Sequence, residues 1–148
     1  MYQYFSSKGA LLAAVLEPGV AHTRRLAEAA VRESSDPQAA LGALVRSYVE
    51  VGISASDRFD LYFREEHNLP DDARVRLRRE SRRFVDTWVS VLTDLRPDLN
   101  NNECRVVVRA VVGLVTTAIR ESARVPAERR AALIEAMTLA ALLAEPAR

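Results

Sequence analysis

The chain has one cysteine, Cys104, so it forms no internal disulfide, and its composition suits a reducing compartment. Its two histidines, His22 and His67, make no pair at the helical spacing that a metal site on one helix face needs. Glycine and proline number 5 and 6 in 148 residues, too few for a loop-rich or all-β chain. Alternating polar and apolar residues bounded by tight-turn pairs are missing too, which removes the usual strand signal. No apolar run is long enough to span a bilayer: Val106 to Ile119 is interrupted by Arg109 and reads as a buried helix. The apolar stretch Ala10–Leu16 behind Lys8 imitates a signal peptide. However, Glu17 and Pro18 close it early and no small-residue cleavage site follows. A cytoplasmic protein without a membrane partner is expected. The formal net charge is +1, so no overall basic field points to nucleic acid.

Charged residues make up 28% of the chain and apolar ones 49%, enough of the latter for one folded domain with a genuine core. Of 21 basic residues only Lys8 is a lysine, and this arginine bias suggests a GC-rich bacterial source.

Helical signals recur along the chain, and all-α architecture with about six helices is expected. Ser7 is placed to cap a helix from Lys8 to about Ser34, with a kink or break expected at Pro18-Gly19. Asp36-Pro37 is a start signal for a second helix. Asp57 would cap a short third helix carrying Phe59, Tyr62 and Phe63, ended by Asn68–Pro70. A long helix follows from Asp71 to Leu95, stopped by Pro97. Its arginine-rich first half reads as a solvated face with Arg76 and Glu80 in contact one turn apart. Glu103–Ser122 is apolar almost all round and is expected to be covered on both sides. Pro126 opens a last helix running to about Ala144.

No sequence motif for catalysis stands out. There is no Ser-centred elbow, no phosphate loop, no Cys-His pairing and no Glu-x-x-His pair, so an enzyme is not expected and no cofactor or metal is implied.

The start of the chain carries the one sharp motif. Tyr2-Gln3-Tyr4-Phe5-Ser6-Ser7-Lys8-Gly9-Ala10-Leu11-Leu12 resembles the end of the helix-turn-helix of the tetracycline-repressor (TetR) family. There a recognition helix closes with aromatic residues, a Ser-Lys turn follows, and Ala-Leu-Leu opens a long helix. Tyr2, Tyr4, Phe5, Ser7, Lys8, Ala10, Leu11 and Leu12 match, while Gly9 stands where the family usually has Glu. The order of helices downstream also resembles the family. The stretch Arg64–Leu95 is similar to actinobacterial members, several of which answer to acyl-CoA thioesters.

The resemblance implies a ligand-responsive regulator, most simply a repressor released from operator DNA by a small hydrophobic effector, with acyl-CoA one candidate. Residues 1–7 would be the end of the DNA-binding domain and 8–148 the ligand-binding and dimerisation domain. Family members have two helices and most of a third before the position of Tyr2, so the chain as given is expected not to bind an operator alone. The alternative is a helical dimerisation module without DNA binding that acts on a partner regulator. By resemblance, Tyr2, Tyr4 and Lys8 would touch phosphates, and Gln3 would lie nearest the bases.

The aromatics offer a ligand site. Tyr48, Phe59, Tyr62, Phe63, Phe84 and Trp88 all fall in the middle helices, and none follows Trp88. They can line an apolar pocket, with His67 as a polar anchor. The last two helices instead carry small and aliphatic residues. Ala110, Gly113, Thr117 and Ala118, with Leu133, Met137, Ala140 and Ala141, would let a second copy of the chain approach closely and form a homodimer.

Overall fold

The computed structural model describes residues 4–121 and 124–147, with the side chain of residue 121 excepted. Among these residues there are six α-helices: α1 (Lys8–Arg32), α2 (Pro37–Ser54), α3 (Ser56–Glu65), α4 (Asp71–Leu95), α5 (Asn101–Glu121) and α6 (Ala127–Leu143). A single 3₁₀ turn, Glu66–Asn68, joins α3 to α4. No described helix is long and apolar enough to cross a membrane.

The helix ends follow from local chemistry. Ser7 accepts from the Ala10 amide at 3.1 Å and opens α1. Asp36 accepts from the Ala39 amide at 2.8 Å and opens α2, with Pro37 at the first position, where its missing N–H costs nothing. That bond holds the Asp36 carboxyl below the usual carboxylate range. Asn100 caps α5 through the amides of Asn102 and Glu103, and the Glu103 carboxylate accepts from the Asn100 amide in return. The expected cap at Asp57 and the expected break at Pro18 are not seen. Asp57 lies inside the first turn of α3 and caps nothing, because α3 continues almost directly from α2. Pro18 leaves α1 unbroken: its two flanks pack on α2 and α4, which hold the helix across the one missing bond.

Packing divides the interior into two cores. The larger gathers Leu41, Leu44, Val45 and Val49 of α2, Trp88, Val89 and Leu92 of α4, Val108 and Val115 of α5, and Ile134 and Leu142 of α6. The smaller joins Leu12, Ala13 and Leu16 of α1 to Leu69, Ala73 and Leu77 at the start of α4. Two close approaches fix this arrangement. A Cβ on Gly52 would sit 2.0 Å from Cδ1 of buried Ile119, so glycine is what lets α2 meet α5. A Cβ on Gly9 would sit 2.9 Å from the Asn68 carbonyl oxygen, so glycine lets α1 rest on the α3–α4 loop. The departure from the family's glutamate thus has a packing reason.

The arginine run of α4 is a solvated face, with Arg76, Arg78, Arg79, Arg82 and Arg83 all exposed, but two of its members also reach α1. Arg76 pairs with Glu17 of α1 at 2.8 Å and with Asp72, not with Glu80. Glu80 instead pairs with Arg24 of α1, which also holds Glu28, and Glu28 is shared with Arg83. At the far end of α4, buried Arg96 pairs with Asp98 at 2.6 Å. It also donates to the carbonyl oxygens of Leu142 and Ala144, closing the C-terminus of α6.

Gly52→Ala overpacks the α2–α5 contact and is expected to cost about 1–3 kcal/mol in urea unfolding. Arg96 holds the Asp98 carboxyl below its usual range. A depressed carboxylate supplies its stability above its unfolded value of about 4 and loses it as pH falls further. Asp98→Asn is therefore expected to flatten the acid limb of the thermal-melt profile below about pH 4.

Candidate effector cavity

A cavity of about 300 Å³ opens where the two cores fail to meet. Leu16 of the smaller core forms one side, and Tyr48, Phe84 and Val85 of the larger core form the other. Its volume lies at the small end of the range for ligand pockets, about 300–1,000 Å³. The wall comes from several parts of the fold. α1 contributes Pro18, Gly19, Val20, His22 and Thr23; α2 and its end contribute Tyr48, Val51 and Ala55. α3 contributes Arg58, Phe59, Tyr62 and Phe63, and α4 contributes Ser81, Phe84 and Val85, with Val112 of α5 closing the set.

The aromatic side chains form two groups of touching rings. The Tyr48 ring lies 5.0 Å from Phe84 and 6.0 Å from both Phe59 and Trp88, centroid to centroid. Tyr62 and Phe63 meet edge to face at 5.3 Å. These are the separations at which tilted aromatic pairs attract. The Tyr48 hydroxyl shares a hydrogen bond of 3.3 Å with Thr116, and burial raises its phenol above the ordinary tyrosine value. Burial also raises Tyr62, helped by the negative charge of Glu66, while its hydrogen bond to Ser81 opposes the shift.

The structure brings together Tyr48, Phe59, Tyr62, Phe63 and Phe84, five of the six aromatics expected at a ligand site. Trp88 stands behind them: fully buried, it supports Tyr48 and Phe84 without lining the cavity. His67 is separated from the group. It sits exposed in the 3₁₀ turn and borders a different, polar groove with Glu66, Arg74 and Arg78. The cavity residues that sequence reasoning missed include His22, Thr23, Arg58 and Ser81. One signal was available for Arg58: positions 55, 58, 59, 62 and 63 share one helical face, so Arg58 belongs to the aromatic stripe. His22 and Thr23 gave no such signal, because only the crossing of α1 over α4 selects which face of α1 meets the cavity.

At the N-terminus, Tyr4 is almost wholly exposed, and Lys8 is exposed with its ammonium 4.0 Å from Glu65. Tyr2 and Gln3 lie outside the described residues, as does the expected helix end at Ser122. On the outer faces of α5 and α6, Ala110, Gly113, Thr117, Leu133, Met137 and Ala140 are all exposed, and Ala118 and Ala141 are half-buried. Val106 adds a large exposed apolar side chain to the same surface. The expectation that α5 is covered on both sides therefore fails within one chain: its buried apolar side chains, Cys104, Val108, Val111, Val115 and Ile119, all face the one core. Among the described residues no cluster of three His, Cys, Asp or Glu could hold a metal ion.

The model of the tetracyclin repressor-like, C-terminal domain matches residues 34–120, and the chain belongs to this family. Two solved structures share the fold. A TetR-family transcriptional regulator from Bordetella parapertussis aligns with a TM-score of 0.83 at 23% identity, over 95% of this chain and 73% of that one. The TetR-family transcriptional regulator PfmR from Thermus thermophilus aligns with a TM-score of 0.79 at 17% identity, over 93% of this chain and 76% of that one. None of the curated proteins matches.

The Tyr48–Thr116 hydrogen bond ties the cavity wall to α5. Thr116 also donates to the Val112 carbonyl oxygen, so it keeps a partner if Tyr48 loses its hydroxyl. Tyr48→Phe is expected to cost about 1 kcal/mol in urea unfolding, the net value of one hydrogen bond, and no more.

Proposed function

We propose that this chain is the effector-binding and dimerising part of a ligand-responsive transcriptional repressor, released from operator DNA by a small, mainly apolar molecule. The carrying observation is that α1 serves two places at once. Its middle, from Leu16 to Thr23, walls the cavity, and its first turn holds Lys8 beside exposed Tyr4. At 1.5 Å per residue, Gly19 lies about 16 Å along the helix from Lys8. A ligand that pushes on Pro18 and Gly19 therefore acts on a rod whose other end bears Tyr4 and Lys8, which suit DNA phosphates.

Pro18 has no N–H for the carbonyl one turn earlier, so the rod is least stiff beside the cavity. Effector binding would favour the α1 position in which two DNA-reading heads are wrongly spaced for successive major grooves. A cavity of about 300 Å³ would enclose the acyl portion of an acyl-CoA thioester and leave the nucleotide outside.

Homodimerisation through α5 and α6 completes the reading. Val106 is 68% exposed, Met137 48% and Leu133 43%, beside the small residues Ala110, Gly113 and Ala140. The single chain exposes 9309 Å², about 1,800 Å² more than a compact monomer of this mass. A two-fold pairing of α5 and α6 with their copies would cover this apolar surface.

Two measurements test the reading. Gly19 borders the cavity, and a Cβ there meets nothing within 4 Å. Gly19→Leu is expected to fill the cavity and abolish 1-octanol binding, seen as loss of the Trp88 fluorescence change, without lowering the melting temperature. Unaltered octanol binding would reject the cavity as the effector site. In sedimentation equilibrium the chain is expected to run as a dimer and Gly113→Arg as a monomer. A native chain that stays monomeric at tens of micromolar would reject the interface.

A further inference from the structure

The polar groups of the cavity are unevenly satisfied. Thr23 donates to the Gly19 carbonyl oxygen, Tyr48 is paired with Thr116, and Tyr62 with Ser81. Two lining side chains remain, His22 from α1 and Arg58 from α3, and among the described residues neither finds a hydrogen-bond or ion-pair partner. No aspartate or glutamate lines the cavity. Among the described residues Arg25, Arg46, Arg79, Arg82 and Arg109 likewise have no carboxylate partner, but Arg58 alone of these lines the cavity. Arg24, Arg76, Arg96 and Arg120 are each held by a carboxylate. Asp60, two residues beyond Arg58 on α3, is already bound by Arg64 and Arg120. Arg58 thus presents an uncompensated cation on the one face of α3 that is otherwise aromatic and apolar.

We propose that the effector is an anionic amphiphile whose apolar body lies against Tyr48, Phe59 and Phe84 and whose carboxylate or phosphate head is bound by Arg58, with His22 also on the lining. This deepens the reading of the cavity as the effector site and rests on it. An arginine offers a planar fork of donors matched to either head, and a charge-assisted pair of this kind is stronger than a neutral hydrogen bond. The lining excludes the opposite class: a cationic amphiphile would bring its charge to Arg58 and find no acid there.

The test is a fluorescence titration of the whole chain, reading its only tryptophan, Trp88, which touches the cavity wall through Tyr48 and Phe84. Octanoate, octyl phosphate, 1-octanol and octylammonium share one apolar chain and differ in the head. The better anion is expected to bind roughly tenfold more tightly than 1-octanol, and octylammonium most weakly. Whichever of octanoate and octyl phosphate binds more tightly identifies the head. Arg58→Gln is expected to reduce both anions to the level of 1-octanol and leave 1-octanol itself unchanged, and Arg58→Glu to favour octylammonium. Arg58 is exposed, so these variants keep the native melting temperature. The proposal is overturned if 1-octanol binds the native chain as tightly as both anions, or if Arg58→Gln leaves the ratio intact. Failure of all four probes to bind overturns the cavity reading itself, and the head-group assignment with it.

Discussion

The position of α1 along α4 is the constraint on which the rest of this molecule depends. Both helices run for 25 residues, and nothing in either alone says how they should cross. Leu12, Ala13 and Leu16 dock on Leu69, Ala73 and Leu77 at one end, and Gly9 removes the side chain that would hold α1 off the Asn68 carbonyl. Further along, Arg24 and Arg76 bridge the same two helices through Glu80 and Glu17. Single exposed ion pairs contribute little stability. Here they act together with the apolar docking to fix one register. Between the docked end and the main core, α1 passes Pro18 and Gly19 without a large side chain to fill the gap, and the cavity is what remains.

The cavity therefore exists through a local shortage of volume. Interiors are close-packed, and an apolar void beside aromatic rings costs free energy that a ligand can recover. Its wall is built on the rigid side by Tyr48, Phe84 and the supporting Trp88, all within the main core. On the other side it is built by α1, whose first half belongs to the smaller core and which begins at the residues that resemble a helix-turn-helix exit.

A similar division governs the other end of the bundle. Arg96 gathers Asp98 and the last carbonyls of α6, so α4 and α6 are locked where their ends meet. This leaves the outer faces of α5 and α6 regular and lined with small residues. Their inner faces supply the core, and their outer faces lack a covering partner within one chain.

Helix number, order and most boundaries were legible in the sequence, because caps, prolines and apolar spacing act over a few residues. Asp36-Pro37 and the Asp71–Leu95 span needed no tertiary information, and the aromatic content of the middle helices was sufficient to locate a cavity. What was not legible was every choice made between helices. Arg76 pairs across to Glu17 and back to Asp72, while Glu80 is taken by Arg24 of α1. Trp88 is core and Phe59 is wall because burial is decided by what crosses above each face. His22 and Arg58 line the cavity while His67 does not, since α1 turns one face inward and the 3₁₀ turn points outward. Local periodicity states which residues share a helix face. Only the packing of one helix on another states what that face meets.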